Sequence, residues 1–359
     1  MVMLLDALHK CANMNLLFST EDGQVTCTAC RRRCRLREGQ RGFCGIRQNV
    51  DGKLTLLTYG KPYGLHVDPI EKKPVLHKFP NSRVLSFGTT GCNYACRYCQ
   101  NWDMSQKRGP DGDLMSPEEV VGLAKRLNCQ GIAYTYNEPT VFIEFAHDVG
   151  VIARREGLFN IFVTNGYETA EALEACGDFL DLMTVDFKGN ASDEFYRKYI
   201  SVLGADPIFD TIQLARDKGI HVEVTDLVVP EVGDSLRDAE IMISRLKDIL
   251  GSEFPMSFLK FHPDYRMLEF EETPLETLEM HYRLGRELGL KYCYIGNVFN
   301  SRMENTYCPN CNTLLLERSD FATTGIHVPG NGICPSCGTD TGLRLYSLNE
   351  TGEGRNLQE

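Results

Sequence analysis

Nowhere does the 359-residue chain run to roughly 18 consecutive apolar residues, the least that a membrane-spanning helix requires. It also lacks an excess of positive charge. The 38 Lys and Arg residues stand against 49 Asp and Glu, giving a net charge of −11 and no overall field to draw the protein to nucleic acid or an anionic membrane. The opening MVMLLDALHK interrupts its apolar residues with Asp6, His9 and Lys10, so the sequence predicts no signal peptide, no membrane partner and a cytoplasmic location. Without an export signal, the fifteen cysteines make a poor disulfide framework and point to metal ligation or catalysis. One further absence narrows that chemistry. No histidine lies between His77 and His147, which bracket the most closely spaced thiols.

A hydrophobic content of 42% is ample for a large core. Between about Arg83 and Val298, seven strand-like segments alternate with helical patterns: RVLSFGTT, GIAYTYN, NIFVTNG, DLMTVDFK, HVEVTDLVVP, SFLKFH and KYCYIGNV. Ser116-Pro117-Glu118-Glu119, Ser235 and Thr273-Pro274 read as helix starts, while RREG, DKG and ELG read as glycine-terminated ends. The alternation predicts an α/β fold with a parallel sheet, a partial (β/α)6-type TIM barrel at residues 81–300. Chemistry in such a barrel gathers at the carboxyl ends of the strands. Residues 1–80 form an N-terminal four-cysteine segment, in which GKPYGLHVDPIEKKPVLHKFP reads as irregular chain wrapped on the barrel. Residues 301–348 form a zinc-ribbon-like domain and 349–359 a flexible tail.

Eleven cysteines fall into three groups, and Cys11, Cys129, Cys176 and Cys293 read as small buried hydrophobes. Cys308, Cys311, Cys334 and Cys337 make two C-x2-C knuckles whose four thiolates suit structural Zn2+, with rubredoxin-like iron as the alternative; LLLER and LRLY would supply ribbon strands. Cys27, Cys30, Cys34 and Cys44 are a second four-thiol set amid arginines, fit for Zn2+ or an auxiliary Fe–S cluster. Cys92, Cys96 and Cys99, in GCNYACRYCQNW, supply only three thiols. Catalytic zinc would usually add histidine or carboxylate. A cubane cluster would instead be left with one open iron, able to bind S-adenosylmethionine and pass an electron to its sulfonium, with Tyr98 offering the adenine a flat face.

The C-x3-C-x-aromatic-C pattern after a first barrel strand resembles the signature of radical S-adenosylmethionine (radical SAM) enzymes. That resemblance implies a [4Fe-4S] cluster on Cys92, Cys96 and Cys99, with Glu138 of YNEP accepting the methionine amino group. Asn165 of VTNG with Asp186 and Lys188 of DFK would face the ribose or methionine, and His262 of KFH would lie near the cofactor. The DPIEKKPVLHKFP segment, the central motif, AYTYNEPT and both outer thiol sets together resemble the radical enzyme of the AmmeMemoRadiSam system, over roughly residues 20–345. It implies Memo-like and AMMECR-like partner proteins and an electron donor such as flavodoxin or ferredoxin. The chain departs from the related pyruvate formate-lyase activating pattern: the paired glycines before Glu138 are missing, and Val163 stands where those enzymes tend to have aspartate. The expected function is reductive cleavage of S-adenosylmethionine to a 5′-deoxyadenosyl radical that takes hydrogen from a substrate such as a partner protein. The competing reading is a multi-zinc module that uses CRRRCRLR to bind nucleic acid or protein without catalysis.

Overall fold

The computed structural model describes residues 17–299 and 301–345; Cys11 and the tail at 349–359 lie outside them. At the amino end, β1 (Phe18–Glu21), β2 (Gln24–Cys27) and β3 (Arg35–Leu36) form one small antiparallel sheet, and β4 (Arg47–Val50) and β5 (Lys53–Leu56) a hairpin. The large sheet follows. It contains β6 (Tyr63–Pro69), β7 (Arg83–Gly88), β8 (Gly131–Tyr134), β9 (Phe159–Thr164), β10 (Leu182–Lys188), β11 (His221–Val228), β12 (Pro255–Lys260) and β13 (Tyr292–Gly296). From β7 to β13 the strands are parallel and lie side by side in chain order, with no reversal.

Six helices connect them: α1 (Pro117–Arg126), α2 (Ile143–Arg155), α3 (Ala170–Cys176), α4 (Asp206–Asp217), α5 (Leu236–Leu250) and α6 (Leu275–Glu287). The strands are near-continuous apolar runs because parallel strands are covered on both faces. Thus FNIFVT of β9 is buried at five of its six residues. Helix starts follow from capping chemistry. Ser116 accepts from the Glu119 N–H while the Glu119 carboxylate accepts from the Ser116 N–H, and Ser235 accepts from the Asp238 N–H. Among the described residues, no helix is long and apolar enough to cross a membrane.

All seven anticipated strands form. Three details differ from the sequence reading. The stretch expected to be irregular supplies β6, an antiparallel edge strand beside β7, because its Tyr63–Pro69 half pairs before Pro74 and Pro80 intervene. Thr273 does not cap α6, whose N-cap is Pro274; its hydroxyl donates to Val228 O and accepts from the Phe261 N–H, pinning two strand ends together. Finally, LRLY adds no strand to the C-terminal sheet, which is β14 (Thr306–Tyr307), β15 (Leu314–Ser319) and β16 (Ala322–Ile326). Arg344 instead bridges to Lys78 of the main body, where its N–H and C=O are satisfied by His77 and Phe79.

The amino-terminal segment is locked to the sheet by a buried ion pair. Arg47, only 2% exposed, grips both Glu144 oxygens at 2.6 and 2.7 Å and donates to the Val141 and Thr140 carbonyls. Arg31, Arg32 and Arg33 are likewise engaged. They reach Asp210 and Glu168 O, Asn93 O and Ser201 O, and Glu171, respectively. Three members of the basic CRRRCRLR run therefore serve intramolecular docking, which removes much of the case for nucleic-acid binding. Cys129, Cys176 and Cys293 are buried in the core as expected.

Candidate active site

A cavity of about 480 Å³ opens at the carboxyl ends of the parallel strands. Its walls hold Cys92, Cys96, Tyr98 and Cys99 from the loop after β7, Glu138 after β8, and Asn165 after β9. Asp186 and Lys188 at the end of β10 and His262 after β12 complete the predicted set. Five strand ends thus contribute nine residues to one cavity.

The thiol loop is held largely by its backbone, with Cys99 Sγ 3.1 Å from Ser105 Oγ and Cys92 Sγ accepting from the Tyr94 N–H at 3.5 Å. Gly91 sits at φ +84°, and a Cβ there would lie 2.5 Å from Cys44 O, so only glycine fits. Asn137 Nδ2 donates to Gly91 O at 2.6 Å, the Ala95 and Arg97 N–H groups bond Ile200 O and Tyr199 O, and the Arg266 N–H bonds Arg97 O. Burial pushes the thiols up, Cys96 to about 12, and a second contribution comes from their neighbours: Cys96 on Cys92, Cys99 on Cys96. Buried thiols of this kind stay neutral until a cation compensates their charge. Tyr98 is buried, its ring packed near Phe195 and Phe261 at 5.8 and 6.2 Å.

Glu138 is 1% exposed and accepts from the Thr140 N–H at 3.1 Å, the Asn165 N–H at 2.8 Å and Thr164 Oγ1 at 2.9 Å. Thr164 also lies 2.5 Å from Glu168 Oε1, while accepting from the Gly166 N–H at 3.0 Å. One hydroxyl proton cannot serve two carboxylates, so the second contact requires a protonated carboxyl that donates to Thr164 Oγ1. Burial accordingly pushes Glu138 well above the carboxylate range, with the Glu168 charge adding to it, and burial pushes Glu168 up to about 7. The contacts and the shifts together favour a single proton held between the two carboxyls.

Asp186 accepts from the Thr225 hydroxyl and lies 3.3 Å from Lys188 Nζ. His262 stands apart from this group. It sits on the rim with a side chain 62% exposed, 3.6 Å from Glu272. Sequence reasoning passed over several residues that line the cavity or bond its lining. Glu168, which bonds Thr164, had no periodic signal. Asn93, inside the thiol motif, accepts from Asn165 Nδ2 at 2.7 Å. Lys73 is buried and bonds Asp68 at 2.7 Å; burial favours the neutral carboxyl, but hydrogen bonds from Lys73 and Lys72 outweigh it and hold Asp68 well below its usual range. Tyr136, at φ +70°, covers Lys73 Nζ with its ring and donates to Asp68. The adjacent lysines and proline of EKKP were the available clue. Phe321 had none: it comes from the tip of the β15–β16 hairpin, where Asp320 and Phe321 take the positive φ of a two-residue turn.

The C-terminal quartet lies on a separate lobe. All four sulfurs are within 4.8 Å of one another, with Cys308–Cys337 and Cys311–Cys334 each at 3.6 Å. The two knuckles repeat each other, the Cys308 N–H bonding Thr313 O and the Cys334 N–H bonding Thr339 O, both at 2.8 Å.

Residues 87–245, from β7 into α5, match the Radical SAM superfamily. Over 305 residues it is 48% identical to MJ0808 of Methanocaldococcus jannaschii, covering 84% of this chain and 90% of that protein. Biotin synthase of Bordetella pertussis is 30% identical over 212 residues, 55% of this chain and 59% of the synthase. Among solved structures, a domain of a Bacteroides vulgatus pyruvate-formate lyase-activating enzyme aligns with a TM-score of 0.41 at 14% identity, over 46% of this chain and 99% of that domain.

Proposed function

We propose that this chain is an enzyme that uses a [4Fe-4S] cluster on Cys92, Cys96 and Cys99 to cleave S-adenosylmethionine reductively and abstract hydrogen from a substrate at the cavity mouth. The observation that carries the reading is that three thiols and Glu138 line one cavity in a chain whose residues 87–245 match the Radical SAM superfamily. The donor set suits the group. Three softly ligating thiols too widely spaced to fall within 4.8 Å of one another fit a cluster better than a single ion. When bound, the cluster and S-adenosylmethionine supply the electron transfer and the carbon radical.

This chain's own residues do the rest. Glu138 would accept from the methionine ammonium, Tyr98 would offer the adenine its face, and Asn165, Asp186 and Lys188 would hold the ribose or carboxylate. His262, on the rim, is placed to meet the substrate side. The strands form a partial barrel, and the C-terminal quartet holds Zn2+ in a ribbon. The protein acts in the cytoplasm as the radical enzyme of the AmmeMemoRadiSam system, with Memo-like and AMMECR-like partners and a low-potential donor such as flavodoxin or ferredoxin. A residue on such a partner is the substrate.

Anaerobic reconstitution with iron and sulfide, reduction, and addition of S-adenosylmethionine should shift the paramagnetic spectrum and yield 5′-deoxyadenosine. A central site that takes up zinc, or a spectrum indifferent to the ligand, would refute the reading. The carboxyl pair adds a pH dependence. An incoming ammonium requires Glu138 ionised; the pair can keep one proton on Glu168, but a doubly protonated pair must release one on binding. Because the free-state pKa is raised, affinity should climb with pH through the neutral range, by up to about tenfold per unit, and level off above it. Calorimetry in buffers of different ionisation enthalpy reads this directly; binding heats independent of the buffer would contradict it.

A further inference from the structure

The amino-terminal thiols pose a separate question, because their sequence fits zinc and iron–sulfur equally. Zinc–sulfur bonds of about 2.3 Å in a tetrahedron bring thiolates to within about 4 Å of one another. The C-terminal quartet meets that requirement, and among the described residues it alone, as a group of three or more potential ligands, has all donor atoms within 4.8 Å. Cys27, Cys30, Cys34 and Cys44 do not. They line one small enclosed pocket together yet stand further apart, as the central triad does. A cube whose irons each take a different thiolate spreads its ligands in this manner.

The surroundings suit an anionic cluster. The Phe43 N–H donates to Cys34 Sγ at 3.5 Å, and the backbone N–H groups of Ala29, Arg32, Ile46 and Arg47 lie near the other three sulfurs, where they favour the thiolate. Such N–H groups and the guanidinium of Arg47 in the pocket wall stabilise negative charge that burial would otherwise oppose. Cys27, Cys30 and Cys44 are nearly inaccessible, and none of the four thiols is in a disulfide.

We propose that Cys27, Cys30, Cys34 and Cys44 hold a second [4Fe-4S] cluster, placed to pass single electrons to the central one. The two thiol sets touch through the backbone. Cys44 O presses on Gly91, the residue before Cys92; Arg108 Nη1 donates both to Phe43 O and to Cys92 O, at 2.7 and 2.8 Å; and Arg32 donates to Asn93 O. One electron from a low-potential one-electron donor reduces the outer cluster and moves on to the inner, with no bond made or broken.

The site assignment is independent of the proposed function; only the relay depends on it. The test is metal and sulfide analysis with Mössbauer spectroscopy of the full chain reconstituted anaerobically. About eight irons and one zinc per chain are expected, and the Cys92→Ala/Cys96→Ala/Cys99→Ala variant should keep about four irons in a spectrum unmoved by S-adenosylmethionine. Two zincs and about four irons in the wild type would overturn the proposal while leaving the central cluster intact. Eight irons with no response to S-adenosylmethionine would overturn the proposed function and leave this site standing. Should the triple variant not fold, the wild-type iron-to-zinc ratio decides alone.

Discussion

Cys96→Ala is expected to reduce 5′-deoxyadenosine formation to the level of a control without enzyme, while the protein stays folded. The second half of that expectation comes from the loop's construction. Its shape depends on the Ala95 and Arg97 N–H groups bonding Ile200 O and Tyr199 O, on Asn137 gripping Gly91 O, and on a glycine that alone fits against Cys44 O. None of these contacts involves a sulfur. Removing one thiol of three deprives a cluster of the ligand that fixes it in place, and no histidine nearby in the sequence can substitute. The measurement is product formation by anaerobically reconstituted variant, with circular dichroism as the folding control. Substantial cleavage by folded Cys96→Ala would remove the central trio from the chemistry.

Arg47→Ala should cost about 3–5 kcal/mol of stability, the range for breaking a buried pair by deleting one partner. The arginine is 2% exposed and the Glu144 side chain 16%, so the carboxylate left behind has little access to water. Two carbonyls, Val141 O and Thr140 O, lose their donor as well. The damage should be local at first, because Arg47 ties the segment bearing Cys44 to the turn that follows Glu138. Urea unfolding followed by fluorescence gives the total, and amide exchange around residues 44–49 gives the locality. A loss below about 1 kcal/mol would mean that Glu144 reaches solvent or another partner when Arg47 is gone. Pairing Arg47→Met with Glu144→Leu should recover much of the loss, since two apolar residues leave no stranded charge.

Much of the fold could be read from the chain because parallel strands buried on both faces announce themselves as apolar runs. All seven were visible, as were the Ser116 and Ser235 caps, whose side chains act on backbone within three residues. What escaped was decided at long range. Thr273 resembles a cap but bonds Val228 O, 45 residues away, and Arg344 follows Leu343 out of the ribbon to pair with Lys78. For the site, the thiol spacing and YNEP were legible because local sequence alone sets them at adjacent strand ends. Glu168 was not, since its role depends on Thr164 being shared with Glu138. His262 illustrates the converse: its position after β12 could be read, but the 62% exposure that places it on the rim could not.

Phe321 reaches the cavity on a hairpin whose far end is organised by the C-terminal quartet, and that arm is moored by Thr323 to Glu71 and by Arg318 to Leu76 O. The entrance is therefore a composite, its walls drawn from residues as far apart in the chain as Lys72 and Phe321. If the distal knuckles hold zinc and the cavity cleaves S-adenosylmethionine as proposed, chelating that zinc should widen the doorway and leave 5′-deoxyadenosine formation in place while selectivity toward the true substrate fades. A truncation made for convenience at residue 300 would yield a catalyst missing one of its walls.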